Sequence, residues 1–318
     1  MNVRVFILIL FFGFLNYSCK KMNNNLSAGF LVHTLQDERW SIERDVFTKK
    51  INEMGGEVKF ENANQDERVQ YHQAKQLIDE GIDVLVIVPV NSKTAASIAR
   101  LCKKNKVKII AYDIMIDNCD LDLYISFDNM MIGELMAEYA VAKKPSGNYV
   151  LLWGDSNMKV AQWIKEGQLK VLEPYVESGQ IDILYRTYVA GWSKDNSSHL
   201  LNRVIDFSDS PIDAVLASSD GIAEGAITGF TNAGITDFPL ITGQDASQTA
   251  LQFIREGKQS MSIYKQFEKL ADIAALAAYD LVEGKEIKAD TILYNGRSNI
   301  PSILLQPFII DLANIGDR

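Results

Sequence analysis

Hydrophobic and polar positions fall into blocks that alternate along most of the chain. Gly29–Leu35, Val84–Val90 and Val107–Tyr112 are apolar runs of six or seven residues, and the middle one reads VLVIVPV. An unbroken aliphatic run of that length is what a strand covered on both faces requires. Between these runs, apolar residues recur every three or four positions over Trp40–Met54, Arg68–Glu80 and Lys93–Asn105. That spacing predicts amphipathic helices, stopped in turn by Gly55-Gly56 and Gly81. Glu57–Asn62 and Tyr124–Ser126 complete the strands of this first series. Strands alternating with helices of this length form right-handed β-α-β units and a parallel sheet.

The alternation restarts after the turn cluster Pro145-Ser146-Gly147. Met131–Ala142, Ala161–Ser178, Ser197–Asp206, Gly221–Ala233 and Ser247–Glu256 read as helices. Asn148–Trp153, Ile181–Val189, Ala214–Ala217 and Leu240–Thr242 read as strands. The expected fold class is therefore α/β, with two doubly wound parallel sheets in tandem. At 318 residues the chain is also longer than one compact core usually holds.

The first eighteen residues break the pattern. Arg4 precedes the apolar run Val5–Leu15, which is too short to span a bilayer but suits a secretory signal. Ser18-Cys19 followed by Lys20, Lys21 and an Asn-rich stretch is similar to the lipobox of bacterial lipoproteins. By that resemblance Cys19 becomes the lipidated first residue and ties the mature chain to a membrane. Export permits a disulfide between Cys102 and Cys119. Cys102 lies in a predicted helix and Cys119 in the next loop, so two unpaired thiols are expected.

Charge narrows the function further. Lys plus Arg number 32 against 41 Asp plus Glu, a formal net charge of −9, which argues against nucleic acid as a partner. Three His and three Cys, with no C-x-x-C and no His pair at ligand spacing, give no ground for a metal site or a resident cofactor. No G-x-S-x-G, H-E-x-x-H or Walker-type motif occurs, and the chain is not expected to be an enzyme.

In doubly wound sheets ligands bind beyond the carboxyl ends of the strands, and two sheets make a cleft between them. The residues at those ends are His33, Arg39, Trp40, Asp113 and Asp128 in the first half. Trp192, Ser219, Asp220, Asp245 and Lys265 take the equivalent places in the second. Carboxylates accept from sugar hydroxyls, Arg and Lys donate to them, and indole faces pack on the C–H surface of a pyranose. A strand-end Asp can equally cap the following helix.

At these residues the chain resembles the D-xylose-binding periplasmic proteins. The likeness runs through Glu38-Arg39-Trp40, Ala111-Tyr112-Asp113, Tyr124–Asn129 with Gly133-Glu134-Leu135, and Gly191-Trp192. It continues in Ile212–Val215, Gly243-Gln244-Asp245-Ala246, Tyr264-Lys265 and Asn295-Gly296. The resemblance implies a type I solute-binding fold whose two lobes, joined by a three-stranded hinge, close on one monosaccharide and hand it to an ABC importer. It implies an N-terminal lobe of residues 27–130 and 266–298 and a C-terminal lobe of 131–265 and 299–318, after a signal peptide (1–18) and a tether (19–26). It puts Arg39, Asp113, Trp192, Asp245 and Lys265 on sugar-contact positions. The chain departs from that family at Ile114, where an Arg is usual, at Ser219, which replaces an Asn, at His33, which replaces an Asp, and around Asn157–Val160.

The expectation is thus a lipid-anchored, extracytoplasmic protein that binds a xylose-like pentose or hexose through Arg39, Trp40, Asp113, Trp192, Ser219, Asp220, Asp245 and Lys265. Its partner is an ABC permease or, for a sensing protein of the same fold, a membrane histidine kinase. A sugar-responsive repressor would carry a DNA-binding module where this chain has its signal segment.

Overall fold

The computed structural model describes residues 25–36 and 38–317. The signal segment and Cys19 lie outside the described residues.

The first series folds as read: β1 (Ser27–Val32), α1 (Glu38–Glu53), β2 (Glu57–Asn62), α2 (Glu67–Asp79), β3 (Val84–Ile87), α3 (Ala96–Lys104), β4 (Lys108–Tyr112) and β5 (Leu123–Phe127). The second comprises α4 (Asn129–Lys143), β6 (Gly147–Trp153), α5 (Lys159–Glu177), β7 (Ile181–Tyr188), α6 (Lys194–Phe207), β8 (Ala214–Ala217), α7 (Asp220–Asn232), β9 (Leu240–Ile241), α8 (Gln248–Arg255) and β10 (Met261–Tyr264). The chain then forms α9 (Phe267–Val282), β11 (Thr291–Tyr294), β12 (Asn299–Leu305) and β13 (Phe308–Asp311).

Strand order in the first sheet is β11-β12-β5-β4-β3-β1-β2, parallel throughout except for β11 at the edge. In the second sheet β7-β6-β8-β9 are parallel, and a single parallel bridge between Gln244 and Ile263 attaches the antiparallel pair β10-β13. In each sheet the chain first winds to one side and then to the other, so each has a switch point: beside β1 in the first and beside β6 in the second. Such points leave a crevice at the strand ends.

Side chains alternate across the first sheet as the pleat demands. Phe30, Val32, Val84, Val86, Ile110, Tyr112 and Ile125 pack under α1 and α9, whereas Leu31, Leu85, Ile87, Ile109 and Ala111 pack under α2 and α3. The free thiols Cys102 and Cys119 are buried in the second of these layers, where burial pushes both up to about 12.

The chain crosses between lobes three times, at Asp128, at Lys265-Gln266 and at Gln306-Pro307. One boundary differs from expectation. Residues Asn299–Leu305, assigned by resemblance to the second lobe, form β12 and pair in parallel with β5 in the first sheet. The crossing falls after Leu305 because Pro307 has no N–H to continue the ladder. Helix α9 was not among the predicted elements. Leu270, Ala271, Ala274, Ala275, Ala277 and Ala278 form its buried face, and small alanines at five of those six positions make an apolar stripe of little bulk.

The second lobe is tied to this crossing region by a close crossing of α4 and α5. A Cβ built on Gly133 would lie 2.0 Å from the Ile164 carbonyl oxygen, and one on Gly167 would lie 2.1 Å from that of Met130. Both obstacles are backbone, which cannot rotate away. Gly133→Ala should therefore destabilise the protein by ~1–3 kcal/mol, as overpacking does. A thermal melt that matched wild type would show that the helices separate without penalty.

Candidate functional site

The charged residues singled out at the strand ends converge where the lobes face each other. Arg39 stands in the first turn of α1, and its guanidinium lies 4.1 Å over the Trp40 ring and 4.2 Å over the Phe267 ring. With both rings this close, the group keeps its N–H edges for hydrogen bonding. Nε donates to Oε1 of Glu43, one helical turn on, at 2.8 Å. Nη2 lies 3.3 Å from Oδ1 of Asp113, and Nη1 lies 3.8 Å from Oδ1 of Asp245. Asp113 comes from the first lobe and Asp245 from the second, so one cation faces a carboxylate on each side of the cleft. Lys265, buried at the middle crossing, pairs with the same Asp245 oxygen at 2.8 Å.

Backbone conformation aims both carboxylates. Asp113 has φ +62° and Asp245 has φ +97°, in the left-handed region that costs a non-glycine residue of order 1–3 kcal/mol. Each is held by its neighbours. The Asp113 N–H donates to Ile125, and its carbonyl accepts from the hydroxyls of Tyr124 and Ser126. The Asp245 N–H donates to Ile263, and the next N–H, that of Ala246, donates to Ser262 Oγ.

The electrostatics follow from burial among opposite charges. Burial alone would raise the Asp113 carboxyl, but Arg39 and then Lys265 outweigh it and hold it below its ordinary range. Burial would also weaken Arg39 as a base, yet Asp113, Glu43 and Asp245 together hold its proton more firmly than in water. His33, edge-on to Trp40 at 4.9 Å, is driven down to about 4 by burial and is neutral at physiological pH.

The remaining expected residues are placed differently from one another. Trp192 reaches in from the second lobe, where its indole covers Gly154 and its Nε1 donates to Met158 Sδ at 3.2 Å. Trp40 backs the Arg39 guanidinium, and its own Nε1 is buried without a partner. The Ser219 hydroxyl accepts from the Ile222 N–H and caps α7. Asp220 is buried, and both its oxygens are used inside its lobe: Oδ1 accepts from Ser262 Oγ and Gln259 Nε2, and Oδ2 from the Ser247 N–H. Glu43 and Phe267 complete the cluster and were not anticipated. The Arg39–Glu43 spacing of four residues was the available signal, since that interval stacks side chains on a helix. Among the described residues, no group of three or more His, Cys, Asp or Glu could hold a metal ion.

Two α/β lobes with charged strand ends facing across a cleft define a type I periplasmic binding protein. The match to the family model for the periplasmic binding protein domain covers residues 28–286, and the chain belongs to that family. It is 37% identical to the D-xylose-binding periplasmic protein of Haemophilus influenzae over 317 residues, covering 100% of this chain and 96% of the relative. The D-xylose-binding periplasmic protein of Escherichia coli matches at the same identity and coverage. Among solved structures, an ABC transporter solute-binding protein from Clostridium phytofermentans with bound β-D-glucose superposes with a TM-score of 0.86 at 29% identity, covering 92% of this chain and 95% of its own. With such relatives the chain is an exported binding protein and not an enzyme.

The Asp220 network generates a pH test of stability. Burial raises this carboxyl from 3.8 to about 7, so the folded form keeps a proton that the unfolded chain gives up. The associated stability is full below about 4 and is lost as pH rises to about 7. Asp220→Asn should lessen the fall in denaturation midpoint across that window. A variant that loses stability as steeply as wild type would place the titration elsewhere.

Proposed function

We propose that this protein is the lipid-anchored receptor of a sugar importer and that it closes on one neutral monosaccharide, a pentose or hexose of xylose-like shape. The observation that carries the reading is the cross-lobe cluster, in which Arg39 faces Asp113 on one side and Asp245 on the other, with Lys265 at the hinge. These groups pair with one another, and a polyol can replace those pairings one for one. Hydroxyls donate to the two carboxylates and accept from the two cations. Apart from Glu43, the cluster holds two carboxylates and two cations, a balance that suits a neutral ligand better than an acidic or basic one. Trp192 supplies the apolar face for the sugar's C–H surface from the second lobe. In this reading Ser219 and Asp220 support the site by capping and bracing α7, and Trp40 supports it by packing against Arg39.

Closure follows from the same placement. A ligand bonded to both lobes has more contacts in the closed state than in the open one, and only that difference shifts the equilibrium. The relatives named for D-xylose, at 37% identity over the whole chain, support a sugar of that size. Isothermal titration of the purified protein with D-xylose, and then with D-glucose, tests the ligand class. Binding is expected to be accompanied by a fall in the radius of gyration in small-angle scattering. Heat of binding with no compaction would remove the closure step, and no heat with either sugar would remove the ligand class. Asp245→Ala should weaken binding by about ten- to a hundredfold, the effect of ~1–3 kcal/mol for hydroxyls left unpaired. For the anchor, Cys19→Ala should abolish incorporation of labelled fatty acid and release the protein from membranes.

A further inference from the structure

Glu43 is the carboxylate of the cluster that is completely buried. Its side chain lies beside Arg39, with Oε1 accepting from the Arg39 Nε. The Tyr112 hydroxyl, also buried, faces Glu43 as its second hydrogen-bonding neighbour. A buried carboxyl placed against the ligand-facing cation, with only Arg39 and Tyr112 to bond it, is not needed to fold a helix. α1 could carry an apolar residue there at lower cost.

We propose that Glu43 is a positioning residue for Arg39, and that its proton regulates how strongly the cleft holds a neutral sugar. The inference rests on the sugar-binding reading above. With Glu43 ionised, the guanidinium charge is shared with a carboxylate beside it, and Asp113 and Asp245 are freer to accept from hydroxyls. With Glu43 protonated, Arg39 spends its whole charge on those two carboxylates, and a sugar must compete with stronger ion pairs. Affinity therefore rises with pH through the Glu43 titration.

The groups acting on Glu43 are Arg39 on its own helix and Tyr112 and Asp113 at the end of β4. Beyond them, around Arg39, lie His33, Asp245 and Lys265. From α9, which packs along α1, Asp272 pairs with Lys50 about two turns further on. Burial dominates at Glu43 and raises its carboxyl from 4.5 to about 7 against the pull of Arg39, which puts the switch near neutrality. His33, at about 4, is already neutral in that range.

The test is the dissociation constant for D-xylose between about pH 5.5 and 8.5 in wild type and Glu43→Gln. The amide keeps an acceptor for the Arg39 Nε but carries no charge. Wild type should tighten by about tenfold across neutrality, the effect of a one-unit difference in pKa between free and bound protein. Glu43→Gln should bind at the weak, low-pH level throughout. A variant that kept the wild-type slope, or a wild type with no slope, would overturn the proposal. Carboxyl carbon and arginine Nε resonances of the ligand-free wild type provide a second readout that needs neither sugar nor variant. Glu43 is expected to titrate near neutrality with Arg39 following it. A Glu43 carboxyl that titrates in the ordinary range, or one that Arg39 ignores, would overturn the proposal equally. Absence of D-xylose binding at every pH would instead count against the ligand class.

Discussion

A single guanidinium, packed against two aromatic rings, sets the geometry on which the cleft depends. Arg39 is pinned by Trp40 from its own helix and by Phe267 from α9, just past the middle crossing. Cation–ring contacts of this kind are worth ~2 kcal/mol when desolvated, and two of them leave the group little rotational freedom. Its edges then meet carboxylates that belong to different lobes. The first lobe's helix, the second lobe's loop at Asp245 and the crossing itself are thus coupled through one side chain. Few other placements would let a change at the ligand be felt at the hinge without an intermediate.

Most of the scaffold and part of the site were legible in the residues. β3 read as a buried strand because VLVI has no polar position to offer solvent, and all four of its side chains are buried. Arg39, Asp113, Asp245 and Lys265 could be picked out as charges at strand ends, and folding brings them together. Glu43 was legible only as the i+4 neighbour of Arg39; its burial was not, since a glutamate in a helix ordinarily faces water. α9 was missed although its buried positions keep helical spacing, because alanine fills five of the six and marks that face only weakly as apolar. Ser219 and Asp220 show the opposite ambiguity: a carboxylate or hydroxyl that ends a strand looks the same whether it faces a ligand or caps a helix. Here the hydrogen bonds decide, because both Asp220 oxygens already have donors within the lobe.

The strain in the site has a clear location. Asp113, Trp192, Asp245 and Ala246 all carry positive φ, and none is glycine. Glycine would relieve the strain but, at Asp113, Trp192 and Asp245, would lose the side chain, so those three positions combine an unfavourable backbone with a functional group. The surrounding hydrogen bonds, from Tyr124 and Ser126 on one side and Ser262 on the other, are what make such conformations tolerable.

The three crossings also bear on how the chain reaches its final form. The first sheet is bounded on one side by β11 and β12, which are separated in sequence from β5 by the whole second lobe. Until residue 305 is available, β5 is an edge strand with an open row of backbone donors and acceptors, and the α1 face lacks its α9 cover. Such exposed edges pair readily with other chains. A nascent first lobe therefore has every residue it needs for five parallel strands and still cannot close, so assembly of the two halves must be interleaved rather than sequential.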